Sequence, residues 1–142
     1  MASIIKQVHI ERPADEVWDA VADFANVRTR LVPNFLTNSW LESDEVRVVT
    51  FQGGAVAREQ LVGVDQEARR LSYTVVDGPL GFTNHCASVQ VLDDGPTGSR
   101  FVWITDVLPD TVATAVTELM AAGIADIKCA LERRQEDHGL LS

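Results

Sequence analysis

A chain of 142 residues with 46% apolar and 23% charged side chains has the length and balance of one folded domain, and is not a disordered tail. Its formal net charge of -9 at pH 7 repels phosphate backbones and anionic lipid surfaces, so neither nucleic acid nor a membrane is expected as a partner. No apolar run approaches the length of a bilayer span, and the opening "MASIIKQVHIERP" has no signal-peptide core, which predicts a cytoplasmic protein.

The first predicted element is a strand, "SIIKQVHIE", with Ile4, Val8 and Ile10 in rough alternation. Pro13 opens a helix, with Asp15 and Glu16 at its positive end and Val17, Val21 and Phe24 on one face. A short second helix, "NVRTRLV", stops near Pro33. Six strand signals follow: "TNSWLES", "EVRVVTF", "VAREQLVGVD", "RLSYTVVD", "NHCASVQVLD" and "SRFVWITDVL". Turn chemistry separates most of them, as in "QGG", "DGPLG" and "DDGPTG", and connections this short imply an antiparallel meander.

"PDTVATAVTELMAAGIADIKCALERRQED" reads as one long helix, capped by Asp110 or Thr111. Over about 25 residues it is roughly 38 Å long. Ala113, Val116, Met120, Ile124, Ile127 and Leu131 form a stripe at helical spacing. The stripe serves core packing or roofs a cavity. Gly123 permits a bend or a close backbone approach, and "ERRQED" reads as a solvated end.

The lone thiols Cys86 and Cys129 are expected to be buried small hydrophobes. His9, His85 and His138 are scattered, without metal-ligand spacing, and "FQGGAV" lacks the lysine of a phosphate loop. No metal and no cofactor is therefore predicted. Monomer and homodimer both stay open.

Strand alternation sorts side chains into faces. On "SRFVWITDV", Arg100 and Asp106 mark the solvent side, so Phe101, Trp103, Thr105 and Val107 face the helix. The same test turns His85 inward on its strand, and Leu71, Tyr73 and Val75 on theirs. Glu59 and Leu61 share a face, taken as inward; Arg47 is taken as outward, which sets Val46, Val48 and Thr50 inward. These assignments describe a mostly apolar cavity whose polar groups are Glu59, Tyr73, His85 and Thr105, the makeup of a small-molecule pocket. Val48, Leu61, Trp103, Val116, Met120 and Ile124 are its expected apolar contacts.

The element order, with "PADEVW", "EQLVGVD" and "RRLSYTVVDGPL", resembles the START-like superfamily, most closely its polyketide cyclase/dehydrase branch and more distantly the plant abscisic-acid receptors and birch-pollen-type allergens. The resemblance covers nearly the whole chain, 1–142, as one ligand-binding domain. It implies an α+β helix-grip fold, in which a curved antiparallel seven-stranded sheet with two short helices grips a long C-terminal helix over a cavity. It places Glu59 in the pocket wall, puts His85 where relatives commonly carry tyrosine, and sets Thr37 where the receptors hold a pocket lysine. Without that lysine a carboxylate ligand loses its counter-charge. The "QGGAV" and "DGPLGF" loops match the receptors' gate and latch in position, and read equally well as plain turns.

Three functions are compatible with these residues. In the first, the chain binds a polyketide-like molecule and acts as a cyclase or dehydratase, with His85, Glu59 and Tyr73 as acid, base or donor. In the second, it carries or senses a lipid-like molecule without turnover. The third is a regulatory or toxin-like partner protein, a role some bacterial members of the superfamily have.

Overall fold

The computed structural model describes residues 2–141, with side chains over residues 2–133. Strand β1 spans Ala2–Ile10 and is followed by helix α1 (Ala14–Ala22), a 3-10 turn (Phe24–Asn26) and the single-turn helix α2 (Val27–Arg30). A meander follows: β2 (Leu36–Ser43), β3 (Val46–Phe51), β4 (Val56–Asp65), β5 (Arg70–Asp77), β6 (Asn84–Asp93) and β7 (Ser99–Leu108). After a 3-10 turn at Asp110–Val112, helix α3 runs over Ala113–Leu141. The strands form one antiparallel sheet in the order β1-β7-β6-β5-β4-β3-β2. This is the sheet and helix count that the sequence predicts.

Pro13 lies one place ahead of α1, where its carbonyl accepts the N–H groups of Glu16 and Val17 at 3.1 and 3.2 Å. The helix buries Val17, Trp18, Ala20 and Val21 against the sheet, and the Trp18 indole N–H donates to Gln66 Oε1 at 2.7 Å. Helix α3 lies along β1 and is pinned at its far end. Lys128 donates to the His9 carbonyl (2.7 Å) and Arg12 Nε to the Leu131 carbonyl (3.1 Å). Glu132 accepts from the Glu11 N–H (2.9 Å) and from Lys128 (2.8 Å), so this end of "ERRQED" is a clamp on β1 as well as a solvated surface. The remainder of that stretch, and His138, lie outside the described side chains.

Nearer the middle of α3, Asp126 accepts the backbone N–H groups of Asn34 (2.9 Å) and Phe35 (2.8 Å), tying the segment before β2 to the helix. The close approach expected at Gly123 is present. A Cβ there would lie 3.0 Å from Trp103 and 3.6 Å from Phe35, so glycine lets the helix rest on the indole. The two thiols depart from expectation. Cys86 and Cys129 are both exposed, because Cys86 falls on the outward parity of β6, opposite Asp106 in register, and Cys129 on the outer side of α3.

Candidate functional site

A cavity of about 540 Å³ lies between the concave face of the sheet and α3. That size suits a small organic molecule. Most of the wall is apolar, including Val49, Phe51 and Leu71 from the sheet, Leu31 and Phe35 from the α2–β2 segment, and Val116 and Met120 from α3. Gln52, Ala55, Gly78, Pro79, Leu80 and Phe82 also line it, so both loops at residues 52–55 and 78–82 border the space. Gly53, Gly54 and Gly81 take positive φ in these loops, a conformation that glycine tolerates.

Of the residues singled out from sequence, Glu59, Tyr73, His85, Trp103, Thr105, Val116 and Met120 line this cavity. Thr37, Val48, Leu61 and Ile124 do not, each for a local reason. Thr37 is the extra residue of an irregularity between the Leu36–Phe51 and Asn38–Thr50 pairs. It is exposed, its hydroxyl donates to the Thr50 carbonyl at 3.3 Å, and Leu36 lines the wall instead. Val48 is buried on the opposite face, in register with Trp40 and Arg58. Leu61 pairs with Tyr73 next to a second irregularity at Leu61–Gly63 and packs, half-buried, against the core beyond the cavity. Ile124 is buried within the main core.

The error over Val48 follows from reading Arg47 as outward. Arg47 is 6% exposed and lines the cavity with Val49 and Phe51. Its Nε donates to Glu59 Oε1 at 2.7 Å, its Nη1 to the Phe24 carbonyl at 3.3 Å, and its guanidinium lies 4.2 Å from the Phe24 ring centre and 5.4 Å from that of Tyr73. A charge buried with a partner and two aromatic faces overrides the rule that charged means outward. The pair was accessible to sequence reasoning. A hairpin centred on Gly53 sets position 47 opposite position 59, as the register shows.

His85 fills a gap in the sheet. The β5–β6 ladder ends at the Tyr73–Ala87 pair. One step on, the Val75 N–H donates to the His85 ring, at Nδ1, over 3.0 Å, and the Thr74 hydroxyl donates to the His85 carbonyl. Side chains thus replace the rungs that the parting strands cannot make. Because Nδ1 accepts a backbone N–H, the neutral ring carries its proton on Nε2. Burial pushes the imidazole below its ordinary value, against the pull of the Glu59 charge. Protonation at Nδ1 would also set two donors face to face. The ring is flanked by Phe82 at 4.8 Å and Tyr73 at 5.9 Å between centres.

Tyr73 accepts the Trp103 indole N–H at 3.1 Å. Burial, followed by the nearby Glu59 charge, raises its phenol well above the usual range, so it stays protonated. The polar part of the wall therefore includes the Arg47–Glu59 ion pair and two neutral hydrogen-bond donors, Tyr73 and His85, beside buried Thr105 and the exposed Gln52 and Glu118. Among the described residues no group of three or more His, Cys, Asp or Glu side chains converges to hold a metal ion, and no helix is long and apolar enough to cross a membrane.

The sequence profile of the family described as polyketide cyclase / dehydrase and lipid transport matches residues 1–133. The chain belongs to this family. Solved structures share its START, or helix-grip, fold. A START superfamily protein from Mycobacterium smegmatis is 18% identical, with a TM-score of 0.72 over 95% of this chain and 97% of its own. Norcoclaurine synthase from Thalictrum flavum, in complex with dopamine and hydroxybenzaldehyde, is 18% identical, with a TM-score of 0.74 over 96% and 87%. The di-domain ARO/CYC protein BexL, from the BE-7585A biosynthetic pathway, is 16% identical, with a TM-score of 0.75 over 93% of this chain and 47% of its own. No match was found among curated proteins. At these identities the likenesses establish the fold, and the family implies hydrophobic ligand binding, cyclisation or lipid transport.

Proposed function

We propose that the protein binds a neutral hydrophobic small molecule in the cavity between the sheet and α3, and that binding, for carriage or sensing, is its principal task. The observation that carries this reading is an apolar cavity of about 540 Å³ whose one buried cation among the described residues, Arg47, is already matched by Glu59. A carboxylate ligand would have to compete for that guanidinium and be desolvated as well. A neutral ligand meets neither cost. The glycines of the loops at residues 52–55 and 78–82 suit a mouth that opens for entry.

The family name and the likeness to an ARO/CYC protein keep a second reading in view, aldol cyclisation or dehydration of a polyketone. Such a reaction needs a proton acceptor beside the bound substrate. His85 is poorly placed for that role, since its acceptor nitrogen is taken by Val75. Glu59 is the largely buried carboxylate left for that role: Arg47 engages its Oε1, its Oε2 has no hydrogen-bond partner among the described residues, and Tyr73 would donate, whereas Glu118, also in the lining, is exposed.

Nile red, a neutral dye, tests the binding reading. Saturable one-to-one fluorescence enhancement is expected, and should vanish in Ala57→Trp, which adds bulk at the cavity wall. Equal enhancement by the folded variant would place the dye elsewhere and defeat the proposal. For the second reading, a linear aromatic polyketone is incubated with the wild-type chain and with Glu59→Gln. Cyclised product formed only by the wild type would establish an enzyme, and no product from either would end that reading.

A further inference from the structure

We infer that the cavity selects ligands bearing a ketone or quinone oxygen, which it grips by two fixed neutral donors, the Tyr73 hydroxyl and the Nε2–H of His85. This rests on the binding reading above and narrows its ligand class. Three observations support it. First, the Val75 N–H fixes Nδ1 of His85 as the acceptor, so Nε2 is the donor for as long as the ring is neutral. Second, the acceptor capacity of Tyr73 is used by Trp103, and the phenolic proton has no acceptor among the described residues. Third, the two ring centres lie 5.9 Å apart on neighbouring strands and both residues line the cavity, so a single flat ligand can lie against both.

The complement is also informative. Glu59 is the largely buried carboxylate acceptor of this wall, and Arg47 already engages one of its oxygens. Burial holds His85 neutral and Tyr73 protonated, so neither donor changes character near neutral pH. A ligand that offers only a hydrocarbon edge leaves both donors unpaired, and one with a carboxylate meets a cation that is already matched. A flat ketone satisfies the donors at no cost in charge.

A probe series of one shape tests this: fluorene, 9-fluorenone and fluorene-9-carboxylate, titrated calorimetrically into the wild-type chain and into Tyr73→Phe. Fluorenone is expected to bind the wild type, and Tyr73→Phe to weaken it roughly five- to tenfold, the scale of one neutral hydrogen bond, while changing fluorene by less than about twofold. The carboxylate is expected to bind at least about tenfold more weakly than fluorenone. Equal loss of fluorene and fluorenone in the variant, or no loss of either, overturns the inference and leaves the binding reading intact. Failure of both neutral probes to bind the wild type overturns the binding reading and this inference with it.

Nitrogen-detected NMR of the wild-type His85 ring needs no variant. Nε2 protonated and Nδ1 bare, with the Nε2–H signal moving on addition of fluorenone, is the expected result. A protonated Nδ1, or a ring unmoved by bound fluorenone, contradicts it.

Discussion

Glu59 and Arg47 stabilise the fold only as a pair. Their side chains are 12% and 8% exposed, so removing either leaves the other charged inside an apolar wall. Glu59→Leu or Arg47→Met alone should each cost about 3–5 kcal/mol in chemical denaturation, whereas the double variant should cost much less than their sum. Additive losses would show that the pair is not coupled. The two described histidines act on stability in opposite directions with pH. The His85 value is lowered in the folded chain, so its contribution is full above 6.5 and is lost as pH falls through the folded value. The His9 value is raised, by Asp94 first and Glu11 second, so its contribution is full below 6.5 and is lost as pH rises through the folded value. Denaturation series should therefore lose an acid-side decline in His85→Gln and an alkaline-side decline in His9→Gln; unchanged slopes would refute both assignments. Alternation placed His85, Tyr73, Trp103 and Thr105 on the cavity side from sequence. It failed at Arg47 and Val48 because it treated charge as a marker of solvent and took no account of a cross-strand partner.

At the scale of elements, Gly123 and Asp126 show how α3 shapes the cavity. Gly123→Ala gains roughly 1 kcal/mol of helix propensity. The added methyl, however, would lie 3.0 Å from Trp103, whose indole is held by Tyr73. A net loss in Tm with altered tryptophan emission is expected, and a rise in Tm would show that the indole yields freely. Asp126→Ala removes the acceptor for the Asn34 and Phe35 N–H groups. Hydrogen exchange at those two amides should speed up markedly, with little change in the β6–β7 core; unaltered exchange would mean that the cap is dispensable. Strand and helix boundaries were largely legible, since turn residues and apolar periodicity agree along the meander. Strand irregularities were not. The shifts at Leu36–Asn38 and Leu61–Gly63 depend on how neighbouring strands twist against one another, and they decide why Leu36 replaces Thr37 in the wall.

Over the whole molecule, a formal net charge of -9 surrounds a cavity whose buried cation, Arg47, is matched by the Glu59 carboxylate. The outer charge favours solubility and disfavours anionic partners, and the inner balance favours neutral ligands. The grip of α3 was legible through the family resemblance, whereas its apolar stripe alone suited core packing and a cavity roof equally, and the family profile now covers residues 1–133. The ligand class proposed above was not legible, because it turns on which nitrogen of His85 accepts, and that is set by the gap between β5 and β6. A ligand that binds only the folded chain should raise Tm in proportion to the logarithm of its concentration once in excess. The most direct test of the cavity claim is a two-dimensional NMR titration of the chain with 9-fluorenone. Saturable shifts centred on Tyr73, His85, Met120 and the Trp103 indole are predicted. An absence of saturable shifts, or shifts confined to outer-face residues such as Trp40 and Val62, would contradict it.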